Sequence, residues 1–217
     1  MDFEKRETRT MSHRTTTRFV TRILPMLLLG GLAFQACDDD VDSPAGHAGV
    51  GSSWTQFQSG NWQAASDGFL SALSGDPFHP EALCGLAWSQ AMLNDGSPGG
   101  PDYRDAIEDN FLLADQLRPG YQDAWAGLAS FYSSQSDTLL AIEWSLDLLN
   151  AAGESYVFTH RPEVNSRAMH KIAAWNLFKL SRYAECESQV RSVFPDFNPD
   201  DTDPLYLETL LARINDL

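Results

Sequence analysis

The chain matches itself. Trp54, Phe57, Gly60, Trp62, Ala65, Phe69 and Ala72 stand 121 residues ahead of Trp175, Phe178, Ser181, Tyr183, Cys186, Val190 and Val193, alike in kind at each step. Trp88 follows Trp54 by thirty-four residues, and a further copy begins at Ala124 and reads AWAGLASFY to Tyr132. An interrupted period of thirty-four is the length of a two-helix unit. Such a unit cannot bury its apolar face alone and becomes stable only when stacked on its neighbours.

The residues within each copy fit that arrangement. Small residues such as Ala65, Ala72, Ala129 and Ala141 let paired helices approach closely, while Trp, Phe and Tyr fill the space between successive pairs. The pattern predicts helices at about 52–59 and 61–74, 80–93 and 102–117, 121–134 and 137–151, and 164–180 and 182–194. Pro80 suits the first turn of its helix. After Asp203-Pro204, the spacing of Leu207, Leu210, Leu211 and Ile214 predicts a final helix covering the open end of the stack. Two segments interrupt the period. Residues 94–101, NDGSPGGP, are dense in turn formers. Residues 151–165 contain Tyr156, Val157, Phe158, His160 and Pro162, which are too apolar for a solvated loop and predict a segment folded against the stack.

These residues resemble the tetratricopeptide repeat (TPR), whose signature is Trp, Leu-Gly and Tyr on a first helix, then Ala, an aromatic, Ala and a closing Pro on or after a second. Trp125, Leu128, Ala129 and Tyr132 fill first-helix positions, and Ala141 follows at second-helix spacing. Ala65, Phe69, Ala72 and Pro77 fill the second-helix positions of the first copy. Leu86-Ala87 and Tyr103 with Ala106, Phe111, Ala114 and Pro119 mark the second copy, its second-helix residues out of phase by one. The resemblance spans about residues 53–195. It implies an all-α fold within a domain over 53–217: a right-handed α-solenoid of about four TPR helix pairs plus a C-terminal capping helix. The GLAW of Gly85–Trp88 and the stretch Tyr156–Asn165 also resemble a group of bacterial repeat lipoproteins.

Residues 1–36 have the layout of a secretory signal: Lys5, Arg6, Arg9, Arg14, Arg18 and Arg22, then an uncharged apolar run from Ile23 to Phe34. That run falls short of the roughly 20 apolar residues a membrane-spanning helix needs. It ends in Phe34-Gln35-Ala36-Cys37, which resembles the lipobox of bacterial lipoproteins. Ala36 and Cys37 fit; Phe34 stands where leucine is usual, and Gln35 is an unusual neighbour. The resemblance implies acylation of Cys37 and a membrane-anchored lipoprotein of a bacterial cell envelope, on its periplasmic or extracellular face. Several acyl chains at about 0.8 kcal/mol per buried methylene would hold it there. Ordinary cleavage, leaving Cys37 a free thiol, is the alternative. Residues 37–52, acidic and then Gly-rich, predict a flexible tether.

Beyond residue 36 the chain has nine Lys+Arg against twenty-seven Asp+Glu. So negative a surface repels phosphate backbones and anionic lipid, which argues against nucleic acid as a partner and against electrostatic membrane docking. Catalysis finds no support either. His13, His47, His79, His160 and His170 have no HExxH-type neighbours, and no GxSxG elbow or phosphate loop with lysine occurs. No cofactor and no metal are expected. Asp196, Asn198 and Asp200 open like an oxygen-rich calcium loop, but Asp201 stands where glycine is needed and Leu207 where the closing glutamate belongs. Cys84 and Cys186 fall where repeats want small packed residues, which predicts buried thiols rather than a bridge.

By the TPR resemblance, one face of each first helix lines the concave side of the solenoid. The matched positions there hold Trp54, Phe57, Trp88, Met92, Trp175 and Phe178, with Lys171 and Lys179 flanking the last pair. Such a strip predicts a groove for an extended or helical protein segment, the rings supplying burial and the lysines pairing with an acid. The competing reading is that the rings seal joints between repeats. The Lys–Asn clamp that some repeat domains use for a carboxyl terminus is absent, because Trp175 follows Lys171 by one helical turn. The expected function is a lipid-anchored, non-catalytic scaffold for protein–protein interaction in the cell envelope. The alternative is an assembly or pilot lipoprotein for outer-membrane components. A small-ligand module would require a polar pocket beneath 151–165.

Overall fold

The computed structural model describes residues 44–94 and 102–217. The expected signal over 1–36, Cys37 and most of the 94–101 interruption lie outside the described residues. The helices are α1 Pro44–Gln58, α2 Trp62–Gly75, α3 Pro80–Leu93, α4 Arg104–Leu117, α5 Gln122–Ser134, α6 Thr138–Ala152, α7 Ser166–Lys179, α8 Tyr183–Val193 and α9 Tyr206–Asp216. A single 3-10 turn, Gly153–Ser155, follows α6. Among the described residues the one β interaction is an isolated antiparallel bridge between Val157 and Asn165. No described helix is long and apolar enough to cross a membrane.

Each helix packs on the next in sequence from α1 to α8, and the first helices α1, α3, α5 and α7 also touch one another in series. The second helices α2, α4, α6 and α8 do not meet. In a bent stack, the layer whose members converge is the inside of the bend, so the first helices line the inner face. The offset of 121 then resolves into three periods of thirty-four, lengthened by the eight residues of 94–101 and by eleven in the stretch ahead of α7.

Local chemistry explains most boundaries. Pro80 occupies the first turn of α3, where its missing N–H costs nothing, and His79 Nδ1 accepts from Ala82 N–H at 3.3 Å. Asp137 and Asn165 cap α6 and α7 by accepting from Leu140 N–H and Ala168 N–H. The turn joining each helix pair needs a left-handed residue: Gly60 (φ 78°), Ser136 (φ 61°) and Ser181 (φ 59°) take that role in the first, third and fourth repeats. The match of Gly60 to Ser181 is thus a backbone requirement that glycine meets more cheaply than serine.

Two expectations are corrected. The stretch expected as a tether over 37–52 is helical from Pro44 onward, and α1 starts eight residues ahead of the predicted 52. Val50, Trp54 and Phe57 bury one face of α1, and that tertiary burial overrides the poor helix propensity of Gly46, Gly49 and Gly51. In α4 the core positions are Ile107, Phe111 and Ala114, which repeat the spacing of Ala65, Phe69 and Ala72. Ile107 rather than Ala106 is the buried residue, which removes the apparent phase error.

The repeats are locked by one recurring contact. Phe69 packs against Gly85 of the following repeat, and Phe111 against Gly127, each pair sixteen residues apart. A Cβ on Gly85 would lie 2.3 Å from the Phe69 ring, and one on Gly127 2.2 Å from Phe111, so only glycine admits rings at that depth. At the next joint Ser145 replaces the phenylalanine, and Ala174 and Leu177 join a second apolar cluster with Ile142, Cys186, Val190, Phe197, Leu210 and Ile214.

The capping helix is present, with Leu210 and Ile214 fully buried against α7 and α8. Arg167, at the start of α7, donates to the carbonyls of Leu217 and Asp216, and Lys171 to that of Asn215. The end of α9 therefore lies beside the beginning of α7, and α9 runs opposite to the helix it covers. Asp203 turns the chain into α9 by accepting from Leu205 N–H at 2.8 Å.

Candidate functional site

The segment ahead of α7 is a small hairpin lying on the inner face. Phe158 N–H donates to Val164 C=O at 2.9 Å and Ser166 N–H to Tyr156 C=O at 3.0 Å, while Arg161 N–H closes the tip on Phe158 C=O. The hairpin runs back across α5, α3 and α1. Tyr156 Oη donates to Asp123 on α5 at 3.1 Å. The Phe158 ring stacks on Trp88 of α3 at 5.1 Å and meets Trp54 edge-on at 5.7 Å. The His160 ring lies flat on Trp54 of α1, 4.0 Å between centroids and 2° from parallel. Arg161 donates to the Met92 sulfur. Phe158 is fully buried, and sealing an aromatic of that size stabilises the packing by roughly 1.5–3 kcal/mol.

The ring nitrogens of the two covered tryptophans are each turned to a partner, while His160 Nδ1 is buried with none among the described residues. Trp54 Nε1–H donates to Glu81 at 3.0 Å, and Trp88 Nε1–H to the Asp123 carbonyl at 3.1 Å. Burial raises the Asp123 carboxyl above the ordinary carboxylate range, with the Tyr156 hydroxyl bond acting the other way. Burial likewise pushes the Cys84 thiol well up, helped by Asp123. Cys84 and Cys186 are both free and buried. These groups are held away from reactivity, as packed thiols are.

The inner face of the fourth repeat is different. Arg167, Lys171, Trp175 and Lys179 recur every fourth residue along α7, so they share one side of it, and all four are exposed. Trp175 is 37% exposed, against 2% for Trp54 and 4% for Trp88. The Lys179 ammonium sits 5.7 Å from the centre of the Trp175 ring. Phe178, half-buried, packs against Tyr183 at the edge of the second cluster.

Comparison with solved structures places this architecture. The chain is similar to the crystal structure of MamA, with a TM-score of 0.54 at 14% identity over 81% of each chain. The fold is that of a TPR protein. Two TPR structures overlap it less well. One is a tetratricopeptide repeat protein from Parabacteroides merdae, with a TM-score of 0.46 at 15% identity over 81% of this chain and 73% of that one. The other is TTC0263, a thermophilic TPR protein in Thermus thermophilus, with a TM-score of 0.39 at 15% identity over 79% of this chain and 100% of that one. No family model matches the chain, and no curated protein is similar to it in sequence.

Set on the TPR frame, the predicted strip divides in two. Trp54, Phe57 and Trp88 are buried, and Met92 is half-buried under Arg161. Lys171 spends its ammonium on the end of α9, leaving Trp175, Lys179 and part of Phe178 open on α7. The hairpin rests on the rings of Trp54 and Trp88, while its tip, residues 159–163, borders a cleft with Phe57, Gln58, Trp62 and Met92. Sequence reasoning missed Glu81, Asp123 and His160 as partners of the strip. The aromatic content of 156–160 was the available signal that something sits on those tryptophans.

Proposed function

We propose that this TPR protein is a non-catalytic protein-interaction scaffold, anchored in a bacterial cell envelope through acylation of Cys37, and that its partner docks on α7. The observation that carries the docking reading is the contrast on the inner face: two tryptophans are covered by the chain itself and the third, Trp175, stands open beside a lysine. Large aromatics left accessible beside a cation are typical anchors of protein interfaces. The anchoring reading is supported by the basic and apolar segment that ends at Ala36-Cys37.

Each half of the reading has its own test. Mass spectrometry of the mature protein is expected to find acyl chains on an amino-terminal Cys37, and an unmodified thiol at that position would refute the anchor. Replacing Trp175 with a photo-crosslinking residue is expected to trap a protein partner in intact envelopes, whereas the same replacement at Leu139, exposed on the second helix α6, is not. Equal products from both positions would refute docking on α7.

A further inference from the structure

We infer that the α7 strip recognises an acidic segment of the partner that carries an aromatic residue, the ring stacking on Trp175 and flanking carboxylates pairing with Lys179. This deepens the scaffold reading and rests on it. The molecule itself supplies the template. Trp54, Trp88 and Trp175 occupy the same position of their repeats, because Trp88 follows Trp54 by one period and Trp175 matches Trp54 in the self-comparison. At the first two positions the hairpin delivers a flat ring onto the indole: His160 onto Trp54 and Phe158 onto Trp88. The hairpin ends before the third, and Trp175 stays 37% exposed with the Lys179 ammonium 5.7 Å from its ring centre.

Charge selects the flanking residues. The part of the chain beyond residue 36 is strongly acidic, yet its only lysines are Lys171 and Lys179, both on this side of α7. Arg104, Arg161, Arg182, Arg191 and Arg213 are each paired with a carboxylate. Lys179 has no carboxylate within ion-pair distance among the described residues, and its ammonium lies over the Trp175 ring. The Lys179 cation pairs with an anion brought into direct contact with it, and a thin segment reaches α7 while facing less of the acidic remainder of the domain than a broad anionic surface does. An anionic membrane is the poorer fit. A flat surface cannot enter the inside of a bend, and the rest of the domain repels it.

The test uses the full-length protein in detergent and a fluorescein-labelled peptide with one phenylalanine flanked on each side by two acidic residues. Anisotropy titration is expected to show binding that weakens about tenfold or more when the phenylalanine is changed to alanine or the acids to lysines. Lys179→Glu and Trp175→Ala in the protein should each cost about tenfold, and Trp175→Phe should retain most of the affinity. Lys179→Glu alters an exposed residue, so its far-ultraviolet circular dichroism should match wild type. Equal binding of the acidic and lysine peptides, or wild-type binding by Lys179→Glu, would overturn the inference. So would Lys179-dependent binding to phosphatidylglycerol vesicles without peptide binding. Crosslinking of a partner at position 175 with no preference for the acidic peptide would leave the scaffold reading standing and remove only the chemistry proposed here.

Discussion

The inner face of the first two repeats and that of the fourth start from the same residue at the same repeat position and end in opposite states. Trp54 and Trp88 are covered by a hairpin from the same chain, hydrogen-bonded at their ring nitrogens and buried. Trp175 is 37% exposed and has no such bond among the described residues, with the ammonium of Lys179 above it. An aromatic in a repeat signature is therefore not by itself a binding residue or a core residue. What lies across from it decides, and here eleven extra residues ahead of α7 make that choice for two positions and leave the third open.

The sharpest way to break this comparison is to truncate the two kinds of tryptophan. Trp88→Ala removes a ring packed between Phe111 and Phe158, and should destabilise by about 3–5 kcal/mol in urea unfolding. A loss below about 1 kcal/mol would mean that the hairpin does not seal the groove. Next in size is Gly127→Ala, whose methyl would overlap the Phe111 ring. Overpacking should cost about 1–3 kcal/mol even though alanine is the better helix former, so the midpoint of thermal unfolding should fall rather than rise.

A smaller effect probes the polar floor beneath the hairpin. Asp123 has its carboxyl raised by burial, so the folded chain holds that proton to higher pH than the unfolded chain does. Its contribution favours folding below the ordinary carboxylate range and is lost as pH rises through the raised folded value. Asp123→Asn keeps an acceptor for Tyr156 and removes the charge. The variant should therefore lose less stability than wild type as pH rises from the ordinary carboxylate range through the raised folded value, read in paired urea titrations. Glu143 and Asp147, also raised by burial, stay in both proteins and cancel in the difference. Identical pH profiles would show that the Asp123 carboxylate is ionised without penalty.

Trp175→Ala should have the smallest effect on folding, under about 1 kcal/mol, because the ring is partly solvated and anchors nothing beneath it. A cost approaching that of Trp88→Ala would erase the distinction between the two regions and make α7 a structural joint like the others.

How far the amino-acid order could be read depended on the range of the forces involved. Helix pairing was legible because apolar spacing is a local pattern: Ala65, Phe69 and Ala72, or Trp125, Leu128 and Tyr132, declare which side of a helix is buried before any partner is known. The start of α1 was not legible. Three glycines argue for a flexible chain, and only the burial of Val50, Trp54 and Phe57, as α1 packs on α2, α3 and the hairpin, makes the helix worth forming. The phase of α4 was misleading for a related reason, since an insertion displaced the count and an isoleucine took the place of the expected alanine.

By itself, then, the order of residues determined a stack of helix pairs with two insertions, a covered end and buried thiols, because each follows from composition and period within a few turns of chain. Tertiary structure alone decided which aromatics are anchors and which are mortar, where the hairpin lies, and that α9 runs against α7. Those outcomes depend on residues far apart in the chain meeting across the inner face: Phe158 with Trp88, His160 with Trp54, Arg167 with Leu217. No periodic pattern encodes such meetings, since the free energy that selects them exists only once the repeats have stacked.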